Sequence, residues 1–170
     1  MKKQIFTAVF SLCALVASSQ VQAAEPRLIA THGKWSAYVY EENGNKVCYM
    51  AAQPDKDEGN YSRRGQIFAL VTHRPAEGTK NVFSYIAGYS YKPASDVTVK
   101  VNGDTFTLFT QDDTAWTPDA ATDEKIANDI RKGSTLVVKG ISSRGTHTTD
   151  TFSLNGSGAA HDAITKECGP

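Results

Sequence analysis

Ser143, His147 and Asp150 fall within eight residues of one another in the stretch SSRGTHTTDTFSL, Ser142 to Leu154. These are the residue types of a nucleophilic triad: a hydroxyl that attacks, an imidazole that takes its proton and a carboxylate that orients the imidazole. The surrounding pattern argues against that use. If Phe152 and Leu154 face a core, strand alternation puts Asp150 and Thr148 on the same face and His147 on the other. His147 and Asp150 then cannot hydrogen-bond. Ser143 lies in a turn, without the Gly-x-Ser-x-Gly elbow of a hydrolase nucleophile. The local arrangement reads as a strand, and a hydrolase site assembled from separated segments stays open as the alternative. An inward Asp150 needs a partner, because a lone buried carboxylate is very costly. Arg144, at the turn, is assigned as that partner in a structural ion pair, with Arg63 or Arg64 as alternatives.

Other chemistry is sparse. His32, His73, His147 and His161 show no His-x-His or His-x-x-x-His spacing, so no zinc site is expected. The acidic stretch TQDDTAWTPDAATDE, Thr110 to Glu124, lacks the Asp-x-Asp-x-Asp-Gly calcium loop and reads as a solvated loop before a helix. No phosphate-cradling glycine loop or dinucleotide fingerprint is present, and no cofactor is expected. In FSYIAGYSYKP, Phe83, Tyr85, Tyr89 and Tyr91 share one parity. Tyr85, Tyr89 and Tyr91 are the candidate binding surface, since tyrosines are enriched at interfaces. The competing and preferred reading places them in a core or at its hydroxyl-bearing rim.

Strands must position all of these groups. DVTVKVNGDTFTLF, Asp96 to Phe109, centres on Asn102-Gly103, the pair a two-residue type I′ turn prefers. That turn sets Val101 opposite Asp104, Val99 opposite Phe106 and Val97 opposite Leu108. The inward set becomes Val97, Val99, Phe106 and Leu108, so register and hydrophobic pattern agree. Asn43-Gly44 joins WSAYVYE to KVCYMAAQ in a second hairpin. Ser143-Arg144-Gly145 joins TLVVKGIS to THTTDTFSL in a third. QIFALVTHR, Gln66 to Arg74, is apolar on both parities, which predicts a strand covered on both faces. Gly88 predicts a bulge or bend. ATDEKIANDIRKG reads as a helix opened by Asp123 and Glu124, closed by Arg131 and Lys132 and stopped by Gly133. SGAAHDAITKECG reads as a second helix capped by Ser157, with Ala160, Ile164 and Cys168 on one face.

The first 23 residues have a basic start at Lys2 and Lys3 and an apolar run from Ile5 to Val16 broken only by Thr7 and Ser11. Val21-Gln22-Ala23 then fits a cleavage site. This predicts a secretory signal peptide over 1–23 and a single domain over 24–170. The apolar run is too short for a membrane span, and no second run follows. Removing 23 residues from 170 leaves 147, with 16 Lys and Arg against 18 Asp and Glu. A net charge of about −2 disfavours nucleic acid or an anionic membrane as partner. Cys13 leaves with the signal. In an exported chain, Cys48 and Cys168 most simply form one disulfide, a free reactive thiol being the alternative.

GKWSAYVY, KVCYMAAQP, VTHRP, DTAW and KGSTLVVKGISSRGTHTTDTFSLNG, ending in AITKEC, together resemble the invasion-associated locus B family from about Gly33 to Cys168. One departure is Ser157, where members often carry an aromatic after the Leu-x-Gly step. The resemblance implies an exported, all-β envelope protein of Gram-negative bacteria, with no catalytic residues to carry over. The expected architecture is a mainly antiparallel β-sandwich with two short helices, one of them C-terminal. The expected function is non-catalytic binding of a protein or envelope component in the periplasm, linked to envelope or host-cell interaction, with secretion or outer-membrane association as variants.

Overall fold

The computed structural model describes residues 25–169, so the signal segment 1–23 lies outside the described residues. Eleven strands and two helices follow in order: β1 Arg27–His32, β2 Trp35–Glu42, β3 Asn45–Ala52, β4 Lys56–Gly59, β5 Phe68–Arg74, β6 Thr79–Ile86, β7 Val97–Val101, β8 Asp104–Gln111, β9 Thr114–Trp116, α1 Ala120–Lys132, β10 Thr135–Ile141, β11 His147–Ser153 and α2 Ser157–Cys168. All strand pairs are antiparallel, in the order β1-β2-β3-β5-β6-β9-β8-β7-β10-β11-β4. β8 pairs with β7 over Asp104 to Leu108 and with β9 over Phe109 to Gln111, and so joins two half-sheets. Their inner faces meet in one core, where the Tyr85 and Phe152 rings pack edge to face with centroids 6.3 Å apart. The result is a sandwich-like, mostly antiparallel fold.

Local chemistry sets the hairpins. Asn102 and Gly103 have φ of 51° and 88°, and Asn43 and Gly44 have φ of 52° and 76°, the left-handed pair a type I′ turn requires. The β7–β8 register is Val101↔Asp104, Val99↔Phe106 and Val97↔Leu108. Val97, Val99 and Leu108 are wholly buried. Gly88 lies where the chain bends after β6, with φ 71°; a Cβ there would sit 2.5 Å from the Gly65 carbonyl oxygen. Only glycine fits that approach.

Both helices start elsewhere than their sequence signals suggest. α1 begins at Ala120, because the Asp119 side chain caps it by accepting from the Thr122 amide at 2.7 Å. Gly156, with φ 91°, is the N-cap of α2, and Ser157 is the first helical residue. The Ser157 hydroxyl is instead buried within reach of the Ile130 and Leu154 carbonyl oxygens, at 2.6 and 2.8 Å, and ties α2 to the end of α1. α2 packs on β1, β2, β3 and β5, and α1 packs on β6. Cys168, on the buried face of α2 with Ala160 and Ile164, forms a disulfide with Cys48 of β3 across 5.8 Å between Cα atoms.

Candidate binding surfaces

The structure keeps the Ser143, His147 and Asp150 side chains apart. Ser143 is exposed in the β10–β11 turn, His147 is exposed at the start of β11, and Asp150 is wholly buried. Arg144 is not the partner of Asp150, contrary to the sequence expectation. Asp150 lies four residues along the strand from Thr146, roughly 13 Å at 3.3 Å per residue, beyond the reach of an arginine in the turn. The partner is Arg64, from the segment between β4 and β5. Its Nη1 and Nη2 each donate to an Asp150 oxygen at 2.7 Å. Arg64 Nε donates to the Ala87 carbonyl oxygen at 2.7 Å, Nη2 also donates to the Tyr85 hydroxyl, and that hydroxyl donates to Asp150. Burial works against the Arg64 charge, yet the bonds to Asp150 outweigh it and hold its pKa above the usual arginine range.

This cluster also corrects the tyrosine surface. Tyr85 and Tyr91 are core residues, 1% and 6% exposed, and present no binding face. Burial raises the pKa of both hydroxyls. Tyr89 is half-buried; its hydroxyl hydrogen-bonds Thr148 at 2.6 Å and its ring packs edge to face on Tyr91. Past Gly88 the chain leaves Tyr89 at the rim and Ser90 exposed, and Tyr91 returns to the core. Arg64 lies between two rings, its Cζ 4.9 Å from the Tyr89 centroid and 5.4 Å from that of Tyr61. Above it opens a polar cleft of about 560 Å³ bounded by the 60–64 segment, Tyr89 and the β10–β11 turn.

The exposed aromatic face lies on the other half-sheet. β5 was expected to be covered on both sides, but only Ala69, Val71 and His73 face the core. Phe68, Leu70 and Thr72 point outward and are half-buried, as are Tyr38 and Tyr40 of β2 and Tyr49 of β3. Tyr38 and Tyr49 are cross-strand partners whose rings stack with centroids 5.1 Å apart, and Tyr40 packs edge-on to Tyr49 at 6.1 Å. Tyr38, Tyr49, Phe68 and Leu70, with Ser36, Ala51 and Gln53, line a hollow of about 450 Å³. Both parities of β5 are apolar because one builds the core and the other this outer face.

The fold also joins two histidines that the sequence leaves 88 positions apart, at 73 and 161. The His73 and His161 rings meet edge to face, with centroids 5.3 Å apart. The Asn81 amide donates to His73 Nδ1 at 3.0 Å, which leaves the His73 proton on Nε2, 3.2 Å from Thr165 Oγ1. Thr165 Oγ1 lies 3.3 Å from His161 Nδ1, and His161 Nε2 reaches Asn81 Oδ1 at 2.7 Å. Asn81 Nδ2 donates to Glu124 at 2.7 Å. Hydroxyl, imidazole and amide stand in the order of a nucleophilic site, but two features oppose catalysis. The Thr165 oxygen also accepts the His73 proton. Burial, with Arg131 and His73 nearby, pushes the His161 pKa down to about 4, too low for an effective base at neutral pH. The chain of bonds braces α2 on β5 and β6.

The fold and these surfaces define a class of protein: an antiparallel sandwich closed by two helices, with a disulfide tying the last helix to the sheet. The sequence profile described as "Invasion associated locus B (IalB) protein" matches residues 35–165, and the chain belongs to that family. Among solved structures, the crystal structure of invasion associated protein B from Bartonella henselae superposes with a TM-score of 0.56. It is 16% identical and covers 81% of this chain and 95% of that one, a likeness of fold. No curated protein matches in sequence.

Proposed function

We propose that this family member is exported by residues 1–23 to the periplasm and acts there as a non-catalytic binding protein. It takes a protein or other envelope component on the outer face of β2, β3 and β5. The observation that carries this reading is the stacked Tyr38–Tyr49 pair beside outward Phe68 and Leu70. A sheet face left to solvent ordinarily alternates to polar residues, whereas aromatic and aliphatic side chains grouped there mark recognition surfaces. Export is supported by the Cys48–Cys168 disulfide, which persists in oxidising compartments. No helix among the described residues is long and apolar enough to cross a membrane.

A photo-crosslinking amino acid at Tyr49, compared with one at exposed Thr107 of β8 on the other half-sheet, tests the assignment in intact cells. The expected result is a discrete adduct from position 49, absent from 107 and lost when Leu70→Asp is added. Identical adduct patterns from both positions would overturn it. Export is checked in the same cells by protease protection and by cleavage after Ala23.

A further inference from the structure

The cleft above Arg64 has a composition that bracing of the fold does not explain. Its lining carries three arginines, Arg63, Arg64 and Arg144, and no carboxylate. Asp150, beneath it, neutralises only Arg64. The whole chain has equal numbers of acidic and basic residues, so this concentration of positive charge is local. Concave walls focus such a field on whatever enters. The rest of the lining is dominated by hydroxyls, among them Ser62, Ser90, Ser143 and Thr146.

The walls are also pre-set. The Ser143 amide donates to the Ser90 carbonyl oxygen at 2.8 Å, and the Gly145 amide to that of Ser142 at 2.8 Å. Ser142 Oγ accepts from the Thr146 amide at 3.1 Å. These bonds lock the Ser142–Thr146 turn against the chain that follows β6, and they fix where Arg144 emerges. Opposite, the base of the 60–64 segment is held by the four hydrogen bonds that Arg64 donates. Arg63 and Arg144 thus project from two anchored walls, and among the described residues neither forms an ion pair. A site built this way loses little conformational entropy on binding.

We propose that this cleft binds an anionic saccharide, a sugar ring bearing a carboxylate or a phosphate. Arg63 and Arg144 take the anionic group through charge-assisted hydrogen bonds, for which the guanidinium fork is suited. The serine and threonine hydroxyls, each both donor and acceptor, match the hydroxyls of the ring. A volume of about 560 Å³ lies within the range of small-ligand sites. The scarcity of apolar lining disfavours an acidic peptide, which would need pockets for its side chains.

The test is a titration of the mature, oxidised protein followed by amide chemical shifts. The probes are glucuronate, glucose 6-phosphate, glucose, inorganic phosphate and a tetraglutamate peptide. Expected are saturable shifts at Tyr61, Tyr89 and Ser143 with glucuronate or glucose 6-phosphate, whichever responds identifying the anionic group. Glucose should bind at least tenfold more weakly. Arg63→Ala/Arg144→Ala should weaken the anionic probe at least tenfold and leave the melting temperature unchanged. The proposal is overturned if neither sugar anion shifts these amides, if glucose matches them, if the peptide or phosphate binds as tightly, or if the double variant binds normally. The cleft shares no lining residue with the hollow beside Tyr38 and Tyr49, so the double variant should still crosslink through position 49. The two readings therefore fail independently.

Discussion

Asp150→Asn removes one charge from a pair whose side chains are 4% and 1% exposed. The guanidinium of Arg64 then keeps the Ala87 carbonyl and the Tyr85 hydroxyl but no counter-charge. Breaking a buried pair from one side costs about 3–5 kcal/mol, because the remaining charge is desolvated without compensation. Asparagine can still accept one hydrogen bond, which places this variant near the low end, about 3 kcal/mol. Arg64→Met strands the carboxylate instead and also withdraws the clamp on the 60–64 segment, for about 4 kcal/mol. Native domains are stable by only about 5–15 kcal/mol, so each single variant removes a large share. In a domain of this size a loss of 3 kcal/mol lowers the melting temperature by roughly 6–12 °C. The double variant Arg64→Met/Asp150→Asn has no charge left to strand. It loses the hydrogen bonds that Arg64 donates and some packing, about 2 kcal/mol. Urea unfolding followed by circular dichroism gives all four free energies, provided the m-value is shared. The double variant should fall short of the summed single costs by at least about 3 kcal/mol. Additive costs, or single variants each costing under about 1 kcal/mol, would refute the account of Arg64 and Asp150 as one buried unit.

Three further outcomes follow from individual groups. Tyr91 Oη is a buried polar atom without a hydrogen-bond partner among the described residues; Tyr91→Phe should leave the urea midpoint unchanged or raise it, whereas Tyr85→Phe, which removes a donor to Asp150, should cost about 1–3 kcal/mol. His161 has a folded pKa of about 4 against an ordinary value of about 6.5, so the unfolded chain takes up a proton there that the folded chain refuses. Its stabilising effect is complete above pH 6.5 and is lost as pH falls toward 4, by about 1–2 kcal/mol after allowance for solvent reaching the ring. His161→Gln, which keeps an N–H for Asn81, should flatten that slope in urea melts at pH 4.5 and 7, and equal slopes would contradict it. Cys48→Ser should lower stability by up to about 4 kcal/mol, since the disulfide closes a loop with a sequence separation of 120, and reduction of the parent protein should reproduce the loss. A calorimetric melt that is insensitive to reductant would exclude that contribution.

Much of the architecture can be read directly along the chain, because the interactions that specify it are local. Asn102-Gly103 selects a turn, the turn sets the register, and alternation then decides that Val97, Val99, Phe106 and Leu108 face inward. The same logic separates His147 from Asp150, and spacing by four puts Ala160, Ile164 and Cys168 on one helix face. Local rules fail where the partner is distant. Alternation shows that Asp150 is buried, but only the folded chain brings Arg64, 86 positions earlier, to its carboxylate. His73 and His161 look unrelated until α2 docks on β5. An apolar parity cannot say whether its face will be covered: Val71 and Leu70 are alike in composition, yet one meets the opposite half-sheet and the other meets solvent. Ser157 carries a capping residue's identity, but the N-cap falls on Gly156, which passes so close to β1 that a Cβ would lie 1.9 Å from the His32 carbonyl oxygen. Strand type, register and inward face follow from turn chemistry and a two-residue period. Pairings between charges, and the choice of which apolar face stays open, follow from how the two half-sheets and the helices close on one another.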